Sequence, residues 1–272
     1  MKPKTDVIFH RDPALPGIDI CRVTNSVHRF PVHYHDDLYI ISLITSGACY
    51  CLDEGRSDAV AGQGNVALFN PGQIHSGIPV DNCRLDYINC YFSVPAMARL
   101  AGDISGHTLP EFTAKVLNDP LVAALLANLF RTLFTSRDTL EKEALLQSAF
   151  HFILSRYGRT GGKPEGHGRR HPPVTRAREM LSENLDRKIT LADIARAVGV
   201  SRYHFLRTFK RETGVSPHQY RTLKRLETSK QLLINGMPPA RVALETGFTD
   251  QSHFSNTFRR YVGATPRQYL AR

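Results

Sequence analysis

The sequence predicts a two-domain α+β protein. A small antiparallel β-barrel or sandwich with trailing helices comes first, and an all-α domain of two helix-turn-helix units in tandem follows. Three observations predict it. Residues 7–92 break into short apolar segments divided by turn residues, residues 120–157 change to helical periodicity, and the stretch after residue 173 repeats itself. With 272 residues, 42% apolar and 22% charged, the chain has the composition of a globular protein with material for two cores.

In the first region Leu38–Thr45, Ala48–Leu52, Asp58–Val60 and Val66–Phe69 are separated by Ser46-Gly47, Asp53-Glu54-Gly55 and Gly62-Gln63-Gly64. Such close spacing of short strands suits a small closed or two-layered sheet. Alternation over Arg84–Phe92 puts Leu85, Tyr87, Asn89 and Tyr91 on one face. The five cysteines (Cys21, Cys49, Cys51, Cys83, Cys90) form no CxxC pair, so neither a disulfide framework nor a zinc ribbon is expected. Cys49 and Cys51 read as small residues packed on one sheet face.

From Pro120, Leu121, Leu125, Leu129 and Leu133 recur every four residues. Asp138 with Glu141 then reads as a cap before Leu145, Leu146, Ala149, Phe152 and Ile153. The leucine stripe is more apolar than a surface helix needs and is read as a dimerisation surface; covering the open face of the barrel is the other reading. Gly158–Pro173 holds five Gly and three Pro and reads as a flexible linker. The expected domains are therefore residues 1–157 (barrel about 7–92, helices about 94–157), a linker 158–173, and residues 174–272.

No apolar run approaches a membrane span, and Met1–Ala14 lacks the apolar core of a secretory signal, so the cytoplasm is expected and a membrane is not. Charge is asymmetric. Residues 1–157 carry 13 basic against 16 acidic side chains, and residues 158–272 carry 22 against 9. A polyanion is therefore expected on the second half alone, and nucleic acid suits basic residues spread over several short helices better than a membrane surface does.

The repeat in that half is specific. His204-Phe205, Thr208-Phe209-Lys210-Arg211, Gly214, Ser216-Pro217 and Gln219-Tyr220 return 49 residues later as His253-Phe254, Thr257-Phe258-Arg259-Arg260, Gly263, Thr265-Pro266 and Gln268-Tyr269. Ala195 and Gly199 return 48 later as Ala243 and Gly247. Each copy reads as a short helix, a glycine turn and a second helix. Thr190 with Asp193, Ser201, and Asp250 or Thr249 supply the N-caps, and Gly214 ends the second helix of the first copy. Ser216-Pro217 starts a bridging helix that Asn235-Gly236 stops. Its eighteen residues span roughly 27 Å, enough to hold two recognition helices about one duplex turn, ~34 Å, apart.

On these residues, Ile189–Leu270 resembles the C-terminal DNA-binding domain of the AraC family of bacterial transcription regulators, most specifically over Gly247–Tyr269 (GFTDQSHFSNTFRRYVGATPRQY). The resemblance implies a transcription regulator, activator or repressor, bound to double-stranded promoter DNA, with RNA polymerase as a further partner. Carried over residue by residue, it offers Arg202, Tyr203, Leu206 and Arg207 from the first recognition helix and Gln251, Ser252, Ser255 and Asn256 from the second as base readers. Leu206 is apolar where polar readers are common, and Asn256 stands where Arg is frequent, which changes a guanine preference toward adenine. Lys210, Arg211, Arg221, Lys224, Arg225, Arg259 and Arg260 are expected to hold phosphates.

His33-Tyr34-His35, Gly47, Gly64 and Asn70-Pro71-Gly72-Gln73-Ile74-His75 resemble the cupin-like β-barrel that precedes this domain in many family members. The resemblance implies a small-molecule effector in the barrel and a homodimer. His33, His35, Tyr39, His75, Tyr87 and Asn89 are the expected effector contacts. Metal-binding cupins add a Glu four or five residues after the HxH; Tyr39 and Ile40 stand there, and Asp36 and Asp37 come too early. Three histidines alone can still hold a transition metal, but the expectation is an organic effector, with no metal, no cofactor and no catalytic constellation.

Overall fold

In the computed structural model, residues 5–53, 57–105, 109–159 and 171–271 are described below. Glu54 and Gly55 of the predicted turn and residues 160–170 of the predicted linker lie outside them. The chain divides into two compact units, residues 1–166 and 167–270.

The first unit is a two-sheet β structure with helices on one side. One sheet has the order β1-β2-β9-β4-β7-β11, from β1 (Asp6–Arg11), β2 (Ile18–Ser26), β4 (Leu38–Ser46), β7 (Val66–Phe69), β9 (Leu85–Ser93) and β11 (Val116–Leu117). The other has the order β3-β8-β5-β6, from β3 (Phe30–His33), β5 (Ala48–Asp53), β6 (Ser57–Gly62) and β8 (His75–Pro79). The strands read from the sequence are present, each within about two residues of its predicted ends, as is usual for element boundaries. Gly47 turns β4 into β5 at φ +79°, where an added Cβ would overlap the Arg84 carbonyl.

Antiparallel pairing decides which residues share a face. Ile40, Ser42 and Ile44 of β4 lie opposite Tyr91, Asn89 and Tyr87 of β9, and Cys21 and Val23 of β2 lie beyond Asn89 and Tyr87. Tyr39, Ile41 and Leu43 lie opposite Phe92, Cys90 and Ile88 on the other face. That second face is roofed by α1 (Val94–Ser105), α2 (Pro120–Thr135) and α3 (Thr139–Tyr157), whose Met97, Leu126, Phe130, Phe150 and Ile153 join Ile41, Leu68 and Phe92 in one core. Fully burying each such side chain contributes about 1.5–3 kcal/mol. Asp119 and Asp138 cap α2 and α3.

The leucine stripe therefore has a different use from the one read first. Leu129 and Leu133 are buried in the core beneath the sheet, and only Leu121 at the start of α2 stands in solvent. α3 is also tied to the strands by a nearly buried ion pair, Lys142 Nζ to Asp12 Oδ2 at 2.6 Å. Two further pieces escaped the sequence reading: β11, and the ladder of β10 (Glu111–Phe112) with β12 (Gly158–Arg159). The predicted linker thus begins as a strand. It also ends as a helix, since Pro172-Pro173 open the next one with φ already set.

The second unit contains α4 (Pro172–Ser182), α5 (Leu191–Ala197), α6 (Arg202–Thr213), α7 (Pro217–Ile234), α8 (Pro239–Glu245), α9 (Gln251–Val262) and α10 (Pro266–Leu270). Its ends are written locally. Thr190 and Asp193 form a capping box, Ser201, Ser216 and Asp250 accept from the third helical amide, and Gly214 and Gly263 close α6 and α9 in the left-handed conformation. Phe205, Phe209, Phe254 and Phe258 are buried under the two turns.

The two turn glycines differ in their surroundings. Gly199 and Gly247 both have positive φ, but a Cβ on Gly199 meets nothing within 4 Å, whereas one on Gly247 would overlap the Leu185 carbonyl oxygen and crowd Arg225. Gly199→Ala is expected to cost about 1 kcal/mol, the strain of the left-handed region alone. Gly247→Ala should cost about 3 kcal/mol, since backbone must also move. Urea unfolding of the two variants, side by side, checks the difference; equal losses would contradict it.

Candidate functional site

Two surfaces carry the chemistry, one in each unit. In the second, the N-terminal and outward faces of α6 and α9 stand in solvent. Arg202, Tyr203, Leu206 and Arg207 on α6 and Gln251, Ser252 and Asn256 on α9 are exposed, and Ser255 is half-buried. Tyr203 is 76% exposed, far more than its ring requires for packing. On the opposite sides, Phe205 and Phe209 of α6 and Phe254 and Phe258 of α9 fix each helix to the body. The faces are thus set by the 3.6-residue period: aromatic inward, polar or basic outward. His204 and His253, outside the expected set, are also exposed there. Thr249 and the His253 Nδ1 lie 2.8 Å apart, which orients that ring beside Gln251 and Ser252. The repeat itself was the signal that marked them.

The seven expected phosphate holders divide. Lys210, Arg211, Arg259 and Arg260 are exposed in the last turns of α6 and α9, where cations also suit the helix dipole. Arg221, Lys224 and Arg225 on α7 are corrected by the structure. Arg221 is buried and its guanidinium donates to the carbonyls of Leu181, Asn184 and Arg187 at 2.7–3.2 Å. Arg225 donates twice to the Leu185 carbonyl and lies over the Phe248 ring. Lys224 is ion-paired with Glu227 at 2.8 Å. Desolvation draws both guanidinium groups below their usual range, with Asp186 opposing the shift. Arg221 and Arg225 hold the protein's own loop, because α7 is the central helix and its 221/225 flank faces residues 181–187.

In the first unit, the barrel face of the sheet presents Tyr87, Asn89 and Tyr91 beside Ser42. The Asn89 amide donates to the Tyr91 hydroxyl at 3.1 Å, while its buried Oδ1 has no hydrogen-bond partner among the described residues. Burial holds the Tyr87 phenol well above its ordinary range, so it stays protonated. Cys49 and Cys51 do share a buried face, with Sγ atoms 3.8 Å apart. Tyr39 is corrected. It lies on the helix-covered face, donates to the Pro110 carbonyl at 2.9 Å, and burial with Glu111 nearby lifts it to about 12. Strand alternation separates it from Ile40 and from the barrel interior.

The histidines converge. β3 and β8 pair with His33 opposite His75, and the Gly72 amide donates to the His35 carbonyl, drawing the Asn70–Gln73 turn onto the HxH segment. Ring centroids are 4.3 Å apart for His33–His75, 5.1 Å for His33–His35 and 5.5 Å for His35–His75. His33 Nδ1 lies 2.8 Å from the Pro31 carbonyl and His75 Nδ1 2.9 Å from that of Gln73. His75 also stacks on Phe69, and burial brings it down to about 4, leaving a neutral ring. A cupin metal centre normally adds a carboxylate, and among the described residues none joins this cluster.

A barrel with an enclosed polar face, coupled in one chain to a tandem helix-turn-helix unit, defines a ligand-binding transcription regulator. The chain belongs to the AraC family of such regulators. The family model described as an AraC-like ligand binding domain matches residues 15–150, and one described as a helix-turn-helix domain matches residues 194–272. An HTH-type regulator of Bacillus subtilis (strain 168), YbfI, is 33% identical over 251 residues, covering 89% of this chain and 86% of that one. The lactose operon transcription activator of Staphylococcus xylosus is 34% identical over 62 residues, covering 23% and 22%. Apo ToxT from Vibrio cholerae strain SCE256 has the same fold, with a TM-score of 0.58 at 16% identity over 98% of this chain and 96% of that one. Among the described residues no helix is long and apolar enough to cross a membrane.

Arg221→Ala is expected to destabilise the protein by about 2–4 kcal/mol, because three carbonyls at the end of α4 and in the loop after it lose a charged donor. Arg221→Lys should recover less than half of that, since an ammonium cannot reproduce the planar fork. Lys210→Ala should leave stability within about 0.5 kcal/mol. Thermal melts of the three variants check the order; an Arg221→Ala protein as stable as the parent would return this residue to the phosphate surface.

Proposed function

We propose that the chain is a sequence-specific regulator that reads promoter DNA with α6 and α9 and is controlled by a small organic effector in the barrel. The observation that carries the reading is the paired exposure of α6 and α9. Their outward faces hold hydrogen-bonding and basic side chains, while buried aromatics and α7 hold the helices rigidly. Arg202, Tyr203, Leu206, Arg207, Gln251, Ser252, Ser255 and Asn256 are the base readers in this reading. Lys210, Arg211, Arg259 and Arg260 are its phosphate contacts, and Arg221, Lys224 and Arg225 leave that set. Arg207 suits a guanine edge and Asn256 an adenine edge.

The effector is held on the barrel face by Tyr87 and Asn89, with His33, His35 and His75 at its side. The unpaired Asn89 oxygen supports this, because a buried acceptor without a donor favours a ligand that supplies one. Occupancy shifts the balance between forms of the protein by no more than the ligand's differential affinity for them. The protein acts in the cytoplasm as a homodimer, in contact with RNA polymerase at the promoter. Leu121 and Leu140, exposed at the starts of α2 and α3, offer apolar contacts for self-association. It performs no catalysis.

Binding to its own promoter should weaken steeply with salt, by about 0.9 in the log–log slope for each phosphate neutralised. Arg207→Ala and Asn256→Ala should each relax one base pair by about 1–3 kcal/mol, at positions roughly a helical turn apart. Selection from a randomised duplex library reads both. An unchanged consensus in the two variants would mean the reading faces are wrong.

His75→Ala should abolish the transcriptional response to effector and leave the DNA affinity of the effector-free protein within about twofold. Reporter output and gel-shift titration separate the two. A variant that still responds in full would remove the histidines from the site.

A further inference from the structure

From the positions of His33, His35 and His75 we infer that these three imidazoles form a binding site for one divalent transition-metal ion of the Zn²⁺ class. Each ring offers a nitrogen, and the three nitrogens all lie within 4.8 Å of one another. Around an ion at about 2.0–2.1 Å they would lie roughly 3–3.5 Å apart. The widest separation therefore has to close by up to about 1.3–1.8 Å as the side chains rotate onto the ion.

The surroundings prepare the rings for this role. The carbonyls of Pro31 and Gln73 take the Nδ1 protons of His33 and His75, which fixes the tautomer whose lone pair is on Nε2. A backbone carbonyl behind the imidazole is the arrangement that orients metal-ligating histidines and raises their basicity. Phe69 stacked on His75 fixes that ring's plane. His33 and His75 belong to paired strands, and the Gly72–His35 hydrogen bond fixes the third ligand's backbone. Three neutral nitrogens suit Zn²⁺, Co²⁺, Ni²⁺ or Fe²⁺, and ill suit the hard ions Mg²⁺ and Ca²⁺.

The Glu missing at Tyr39 and Ile40 would supply only a fourth ligand. Three protein ligands with an open position form a complete class of zinc site. The ion would sit beside the wall carrying Tyr91, whose ring lies 6.4 Å from that of His35. The three histidines are those that flank the effector in the proposed regulation, but the inference does not rest on that reading, since metal binding is measured with no effector present.

Tag-free full-length protein, stripped with a chelator and dialysed, is titrated with Zn²⁺ and separately with Co²⁺. One equivalent per chain is expected, with a rise in Tm and visible Co²⁺ bands lacking a thiolate charge-transfer band. Single His33→Ala, His35→Ala and His75→Gln variants should each weaken Zn²⁺ binding at least 100-fold, while a Cys49→Ser/Cys51→Ser double variant should keep it. Circular dichroism and salt-sensitive DNA binding show whether each variant is folded, and only folded variants are compared. Absence of saturable binding by the folded parent would overturn the inference. Stoichiometric binding that survives in folded histidine variants, or a thiolate band that disappears with the cysteines, would equally overturn it.

Discussion

Five hydrogen bonds from Arg221 and Arg225 into the carbonyls of residues 181–187 hold the DNA-binding unit together. Those carbonyls belong to the end of α4 and to an irregular loop, where backbone acceptors lie outside any regular ladder and are costly to bury unpaired. Two guanidinium groups one helical turn apart satisfy them from a single rigid helix. The same loop then supplies the Leu185 carbonyl and Asp186 backbone against which the α8–α9 turn closes at Gly247. Arg225 continues the chain of contacts onto Phe248. The loop before the first helix-turn-helix and the turn inside the second are therefore joined through α7, and the relative position of α6 and α9 depends on it.

The two copies share glycine C-caps on α6 and α9 and buried phenylalanines, but differ around their first helices: a Thr190–Asp193 capping box opens α5, whereas Pro238 stands at the N-cap of α8. Val198 ends α5, whereas the corresponding Thr246 ends α8 and is fully buried. Its hydroxyl donates to the Val242 carbonyl, and the one proton of the fully buried Ser229 hydroxyl of α7 is shared between the Arg225 carbonyl at 2.6 Å and Thr246 Oγ1 at 3.2 Å. A buried polar chain of this kind is stabilising only when every member is satisfied. The second copy is thus tied to α7 by directional bonds as well as by apolar contact, and the one-residue offset between the copies follows its glycine.

The second unit was largely legible because its information is local. Ser, Thr and Asp at N-caps and glycines at left-handed positions act within four residues of themselves, so the repeat could be parsed by eye. α4 was missed because its buried Val174, Ala177 and Leu181 make a short, sparse apolar stripe behind a glycine-rich stretch. The roles of Arg221 and Arg225 were illegible for another reason. Their partners are carbonyls about forty residues away, and a carbonyl acceptor leaves no side-chain signature in a sequence. In the first unit, alternation correctly put Leu85, Tyr87, Asn89 and Tyr91 on one face and Cys49 with Cys51 on another strand's face. It could not say which face a helix covers, and Tyr39 was assigned to the wrong one. The convergence of His33, His35 and His75 was suggested by motif spacing, but the carbonyls behind the Nδ1 atoms of His33 and His75 were not.

Asn70 belongs to the turn that draws His35 toward His75, and its side chain forms a two-way clasp with Phe112. The amide nitrogen donates to the Phe112 carbonyl at 2.8 Å, and Oδ1 accepts from the Phe112 backbone at 2.9 Å. Tyr39 holds the same segment at Pro110. Phe112 is half of the two-residue ladder with Gly158 and Arg159, the last described residues before the second unit. A ladder that short has little persistence of its own. Its lifetime is consequently that of the Asn70 clasp, and the solvent exchange of a single amide proton, that of Phe112, becomes a clock for opening of the histidine-bearing turn.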